Sequence, residues 1–249
     1  MARAPAHEAI AAALGDARRA VGLTGLRLGG LESEDLTAAR GEWAQRASLE
    51  AFLIEPSRFW DYYYPAAQAI LDREPGPGHH ALVRLQRCGA LSALITQAVD
   101  RLHSSAGSSD VVEVYGSVLT HRCQRCGERY GLPEVGTMLE ASQDGIPRCD
   151  AHECNYPLRP EGTLWGEPLA DEAITRAWEL AGRADLLLVI DSDLRTAPIS
   201  LLPSVPLTRG AELIIIGHEP TQYDRYARII AREPSEELLV AIADTITPP

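Results

Sequence analysis

Five short runs of the chain are apolar nearly throughout rather than alternating: Val21-Gly22-Leu23-Thr24-Gly25, Ala93 to Gln97, Val111 to Tyr115, Asp185 to Ile190 and Glu212 to Ile216. Such runs read as strands covered on both faces of a sheet. Between them lie segments with helical spacing. Residues 6 to 20 are alanine-rich, His80 to Cys88 follows the loop Pro75-Gly76-Pro77-Gly78, and Ser235 to Ile246 opens with Ser-Glu-Glu after Pro234. Residues 43 to 72 read as helix interrupted at Pro56 and Pro65, with Phe52, Leu53, Phe59 and Trp60 available to pack a small lobe and the Tyr62-Tyr63-Tyr64 run packing with them. Residues 100 to 107 read as a short helix or loop. The alternation predicts an α/β fold, a doubly wound Rossmann-like parallel sheet with ligands at the carboxyl ends of its strands.

Residues 120 to 160 break this rhythm. Cys123-Gln-Arg-Cys126 and Cys149-Asp-Ala-His-Glu-Cys154 form two knuckles joined by 22 residues that contain Tyr130, Pro133 and Gly136. Four thiolates so spaced suit tetrahedral Zn²⁺ in a closed shell, a structural zinc on a ribbon-like insertion. The wide second knuckle permits one variation, His152 in place of Cys149 or Cys154. The fifth cysteine, Cys88, reads as a buried apolar residue on its helix.

Composition narrows the function classes. A hydrophobic fraction of 45% and a charged fraction of 23% are those of a globular domain. The net charge of -12 argues against nonspecific binding to nucleic acid. All 23 basic residues are arginine, which reads as codon bias of a GC-rich bacterium and excludes lysine chemistry on the chain itself. No run approaches the roughly 18 apolar residues of a membrane span, and Met1-Ala2-Arg3-Ala4-Pro5 lacks a signal-like apolar stretch. The expectation is a cytoplasmic protein without a membrane or nucleic-acid partner, with a small molecule or a protein as its unidentified partner.

Several motifs then fall in one order. Thr24-Gly25 follows the first strand. Pro75-Gly-Pro-Gly-His-His80-Ala-Leu is similar to Pro-Asn-x-x-His-x-Ala-Leu, with His80 taken as the scaffold position. Thr96-Gln97-Ala98-Val99-Asp100-Arg101-Leu102-His103 is similar to Thr-Gln-Asn-Ile-Asp-Gly-Leu-His. Tyr115-Gly116-Ser117 stands for His-Gly-Ser, and Leu158-Arg159-Pro160 and Trp165-Gly166-Glu167-Pro168 complete the series. Over nearly its whole length the chain resembles the sirtuins, NAD-dependent protein deacylases. The resemblance implies a Rossmann-like lobe at about 1–42, 88–118 and 162–249, a helical small lobe at about 43–87 and a zinc ribbon at about 119–161. It also implies catalytic candidates Tyr115, Asp100 and His103, and an old cofactor cleft of Gly25, Arg27, Gln97, Ala98, Asp191, Ser192, Asp193, Gly217 and His218.

The departures gather in that cleft. Leu26 and Arg27 stand in the glycine-rich phosphate loop, Ala98 replaces an Asn, Asp191-Ser192-Asp193 replaces Gly-Thr-Ser, and Gly217 replaces an Asn. Ala39-Arg40-Gly41-Glu42-Trp43 retains an arginine and a tryptophan of the segment that follows the loop. Two carboxylates ~6 Å from a phosphate charge cost on the order of 2 to 3 kcal/mol each at an effective dielectric near 20. The family's histidine accepts a proton from a ribose hydroxyl. A phenol with its pKa near 10 would need about three units of depression, ~4 kcal/mol, to do so at neutral pH. The leading expectation is therefore a degenerate sirtuin for which NAD is an unlikely cofactor. The alternatives are a cleft repurposed for an amine- or guanidine-bearing molecule, and a divergent NAD-dependent deacylase, ADP-ribosyltransferase or NAD hydrolase.

Overall fold

The computed structural model describes residues 5–26, 28 and 41–247. Six strands form one sheet, β1 (Ala20–Thr24), β2 (Ala93–Thr96), β3 (Val111–Glu113), β7 (Leu186–Ile190), β8 (Glu212–Ile216) and β9 (Ile229–Ala231), in the order β3-β2-β1-β7-β8-β9. Every pairing in it is parallel. The chain steps from β1 to β2 and β3 on one side, then returns to β7 and continues to β8 and β9 on the other. The switch point of the topology therefore lies between β1 and β7, where a doubly wound sheet opens a crevice.

Alternation along the strands feeds two apolar layers. Ala20, Leu94, Leu186, Leu188, Ile214 and Ile216 pack with α1 (Ala6–Asp16), α5 (Pro77–Arg87) and α10 (Ser235–Ile246). On the opposite face Leu23, Ile95, Leu187, Val189 and Ile215 pack against α8 (Asp171–Arg183) and Ile199 and Leu202. The first helix stops at Asp16, short of the expected Ala20. Asp185 holds the N–H groups of Arg18 and Arg19 at 2.9 Å each, which turns the chain so that Ala20 can join the sheet.

The expected small lobe contains residues 41–46 (α2), α3 (Leu49–Ile54) and α4 (Pro56–Leu71), whereas α5, which its expected span to about residue 87 includes, packs with α1 and α10 on the large sheet. Ser48 caps α3 by accepting the N–H of Ala51 at 3.1 Å. Pro56 sits in the first turn of α4, where its missing N–H costs nothing, as expected of a boundary. Pro65 does not interrupt the helix. It lies on the exposed face, where water can satisfy the carbonyl it leaves free. Phe59, Trp60 and Tyr63 are buried, Phe59 stacking on Tyr63 at 5.0 Å, whereas Leu53, expected to pack here, is 67% exposed.

The segment between the cysteine knuckles is more than a ribbon. β4 (Thr120–Cys123), β5 (Arg129–Gly131) and β6 (Leu158–Pro160) make an antiparallel sheet in the order β5-β4-β6, and Leu132–Ala141 is a ten-residue helix, α7. Pro133 in the first turn and Glu134, which accepts the N–H of Gly131 at 2.7 Å, start that helix. The small lobe and this module share one core, in which Phe59, Trp60 and Tyr63 meet Tyr130, Leu132 and Leu158. Two short helices, α6 (Leu102–Ala106) and α9 (Ser204–Leu207), lie in the connections of the large sheet. Among the described residues no helix is long and apolar enough to cross a membrane.

Candidate functional site

The carboxyl ends of β1 and β7 meet at the switch point. Gly25 donates its N–H to the carbonyl of Ile190 at 2.8 Å, and a Cβ on Gly25 would fall 1.9 Å from the carbonyl oxygen of Asp191. Only glycine permits this approach. Asp191 itself has a φ of 51°, a conformation that suits the glycine expected there and that Asp tolerates better than most side chains. Its carboxylate accepts a hydrogen bond from the hydroxyl of Ser235 in the first turn of α10. There the helix dipole favours negative charge. Asp193 accepts the N–H of Arg195 at 3.1 Å. Both carboxylates therefore cap local structure, and their repulsion of a bound phosphate is smaller than two free charges would exert.

The remaining cleft positions are arranged by the same strand ends. Gln97 accepts from the hydroxyl of Ser192 at 2.6 Å and donates its backbone N–H to Thr24 at 2.9 Å, which ties β2 to both β1 and β7. Ala98 is buried in the turn after β2, its N–H donated to the Thr96 hydroxyl at 3.0 Å. Gly217 follows β8, where a Cβ would lie 3.3 Å from the Asp191 carboxylate. His218 is exposed just beyond it. Arg27, Ala39 and Arg40 lie outside the described residues.

Of the catalytic candidates, Asp100 and His103 are buried beyond the end of β2 and make hydrogen bonds within the fold. The Asp100 carboxylate caps α6 by accepting the N–H of Leu102 at 3.0 Å. Burial raises its pKa against the pull of that N–H and of Arg73. His103 is 2% exposed, and its Nε2 lies 2.9 Å from the hydroxyl of Thr24, which donates to Thr96 at 2.8 Å. Burial, with His79 nearby, pushes its pKa down to about 3, so it is neutral. The scaffold histidine of the Pro-Gly-Pro-Gly-His-His run is His79, fully buried 4.8 Å from the His103 ring and accepting the N–H of Gly76, while His80 is exposed. The expectation for His80 is thus corrected by one position, since only one of two adjacent helical residues can face the core.

Tyr115 is half-buried just past β3, its ring packed against the second apolar layer. Its carbonyl accepts the N–H of Thr163 at 2.8 Å, and the next residue, Gly116, has a φ of 67° with the carbonyl of Glu161 only 2.8 Å from where a Cβ would be. Residues 161–165 are thereby threaded against the Tyr115-Gly116-Ser117 turn. Beside them a cavity of about 90 Å³ is lined by Trp43, Ala47, Tyr63, Val118, Leu164 and Trp165. The Tyr63 hydroxyl spends its proton on the carbonyl of Val118 at 2.8 Å, leaving an apolar wall.

The four module cysteines converge. Their sulfurs all lie within 4.8 Å of one another, with Cys126 to Cys149 at 3.4 Å and Cys123 to Cys154 at 3.7 Å. A tetrahedral zinc with bonds of about 2.3 Å places its sulfurs about 3.8 Å apart, so the residues fit that ion. His152 is exposed and is not part of this group. Cys88, expected to be buried, is exposed at the end of α5.

Comparison with known proteins agrees with this geometry. The Sir2 family model matches residues 39–198. NAD-dependent protein deacetylase 1 of Pyrobaculum aerophilum is 34% identical over 216 residues, covering 85% of this chain and 83% of its own. A Geobacillus kaustophilus protein of the same name is 37% identical over 195 residues, covering 78% and 76%. Among solved structures, Sir2 with a p53 peptide and NAD⁺ superposes with a TM-score of 0.83 at 29% identity, covering 96% of this chain and 97% of that one. A histidine-to-tyrosine mutant of Sir2 with p53 peptide and NAD superposes with a TM-score of 0.81 at 30% identity, covering 96% of both. These relatives overturn the expectation of a degenerate sirtuin with NAD unlikely. Relatives named for NAD-dependent deacetylation align with most of the chain, a tyrosine replacement in Sir2 is compatible with bound NAD, and Asp191 and Asp193 are engaged in capping. The chain belongs to the Sir2 family, the sirtuins.

Proposed function

We propose that this protein is an NAD-dependent protein deacylase acting on acyl-lysine side chains. The observation that supports the reading best is the superposition of 96% of the chain on Sir2 bound to both p53 peptide and NAD⁺. Gly25, Gln97, Ser192 and Gly217 would hold the cofactor at the carboxyl ends of β1, β2, β7 and β8. There Gly25 and Gly217 let the Asp191-Ser192 turn pack closely against the ends of β1 and β8, and the Ser192 to Gln97 hydrogen bond ties that turn to β2. When bound, NAD supplies an electrophilic ribose carbon with nicotinamide as its leaving group. The cavity lined by Tyr63, Val118 and residues 162–165 would take the acyl chain against an apolar wall and exclude water from it. Tyr115, at the position of the family's histidine, would accept the proton of a ribose hydroxyl. A phenol accepts a proton only as phenolate, so a tyrosine in this role is expected to work faster as the pH rises. The four cysteines would hold one zinc with all four positions closed, so its work is to fix β4 and β6 rather than to take part in the reaction. A cytoplasmic setting suits these free thiolates.

The test is incubation of the purified protein with an acetyl-lysine peptide and NAD at pH 7.5 and 9.5. Loss of the acetyl group is read by mass spectrometry and nicotinamide release by chromatography. NAD-dependent deacetylation, greater at the higher pH, is expected. Absence of deacetylation at both pH values, together with no heat of NAD binding, would refute the proposal.

A further inference from the structure

The segment that lines the cavity is held by an ion pair outside it. Arg159 on β6 and Glu167 meet through two parallel hydrogen bonds, Nη1 to Oε1 at 2.8 Å and Nη2 to Oε2 at 2.9 Å, with both side chains less than one fifth exposed. Such a fork is geometrically specific as well as strong. Oε2 of Glu167 also accepts the N–H of Leu164 at 3.0 Å, and Arg159 Nε donates to the carbonyl of Pro160 at 3.0 Å. Burial pushes the Glu167 carboxyl up, but the Arg159 hydrogen bonds and the Leu164 N–H outweigh it and hold it below its ordinary value. The segment thus fixed gives the N–H of Thr163 to Tyr115 at 2.8 Å and takes the N–H of Leu49 on the carbonyl of Trp165 at 2.9 Å. It is attached at the Tyr115 turn, at the small lobe and at the Arg159–Glu167 fork, and Glu161 at its start donates its N–H to Thr120 at 2.8 Å and pairs with Arg129 at 2.9 Å. The fork is the attachment that acts directly on the N–H of Leu164 in the cavity wall, and it ties that wall to β6 of the sheet that carries Cys123.

Resting on the deacylase reading, we infer that Glu167, braced by Arg159, is a positioning residue for substrate. By holding the N–H of Leu164 it sets the backbone of residues 163–165, and with it the cavity wall that receives the acyl-lysine. It touches neither the reacting atoms nor the cofactor cleft formed by Gly25, Gln97 and Ser192. Its loss should therefore weaken peptide binding and leave NAD binding in place.

The experiment compares wild type, Glu167→Ala, Glu167→Gln and Arg159→Lys as zinc-loaded proteins. Fluorescence anisotropy with a labelled acetyl-lysine peptide gives peptide Kd, calorimetry gives NAD Kd, steady-state turnover gives the KM for peptide, and metal content and Tm are recorded for each. Glu167→Ala is expected to raise peptide Kd and KM about tenfold or more, the scale of one charge-assisted hydrogen bond, with NAD Kd and zinc content unchanged. Glu167→Gln retains an oxygen for Leu164 and should fall between wild type and Ala. Equal peptide Kd in wild type and Glu167→Ala overturns the inference while leaving the deacylase reading standing. So does a parallel loss of peptide and NAD affinity, which marks a merely structural role, and a Gln variant as weak as Ala removes the Leu164 contact as the cause. A wild-type protein that neither binds nor deacetylates the peptide refutes the deacylase reading, and the inference falls with it.

Discussion

Replacing Tyr115 with histidine should convert a slow deacylase into a faster one, and the size of the gain follows from acid–base chemistry. At pH 7.5 a phenol with a pKa near 10 is about 0.3% ionised, whereas an imidazole with a pKa near 6.5 is about 90% neutral, a ratio of about 300 in available base. Phenolate is the stronger base, which returns part of that advantage. A net gain of about 10- to 100-fold in the turnover of acetyl-lysine peptide is expected. The substitution leaves the Thr163 hydrogen bond in place, because that bond is to the backbone carbonyl of residue 115. The assay is kcat against pH from 6 to 10 with saturating NAD and peptide. Wild type should rise toward alkaline pH, whereas Tyr115→His should level off above about pH 7. Coincident profiles, or no gain at pH 7.5, would show that the group at this position is not the proton acceptor.

Two further outcomes follow from the fold. Metal analysis should give one zinc per chain, and Cys126→Ser should lose most of it and lower Tm, because three sulfurs leave the tetrahedral shell open. His103 is held neutral with its pKa depressed to about 3. Its contribution to stability is complete above about pH 6.5 and is lost as the pH falls toward 3, about 2 kcal/mol by pH 5. Thermal melts at pH 7.5 and 5.0 should differ by several degrees, and a His103→Gln variant should lack that part of the difference, with an unchanged difference counting against the assignment.

Five of the six strands were legible because continuous apolar runs are the direct signature of strands buried on both faces, whereas β9, three residues long and buried only at Ala231, offers no such run. Helices were legible where apolar spacing and caps agreed, as in α10. What the pattern concealed were decisions made by single contacts. The stop of α1 depends on the Asp185 carboxylate, far along the chain. The α7 helix carried a readable signal in Gly131-Leu132-Pro133-Glu134, masked by the cysteines on either side that suggested a ribbon. His79 and His80 are equivalent in a motif and differ only by the face of α5 they occupy. Cys88 is a reminder that a helix end, not residue type, sets exposure.

The cleft shows the same limit in a sharper form. Read as letters, Asp191 and Asp193 look like two charges facing a dinucleotide. In the fold, Asp191 is turned to the hydroxyl of Ser235 at the start of α10, 44 residues away in sequence, and Asp193 to the N–H of Arg195. A charge at the N-terminus of a helix is already compensated, so its cost to an incoming phosphate is smaller than Coulomb's law between free ions gives. The substitutions at Asp191 and Gly217 are also matched to each other. The residue after β7 gains a side chain where the residue after β8 loses one, and the Asp191 carboxylate lies 3.3 Å from where a Gly217 Cβ would be. Sequence divergence at this cleft is therefore compatible with a working site. A count of altered positions overstates the loss, because changes that compensate one another in space appear in the sequence as separate defects.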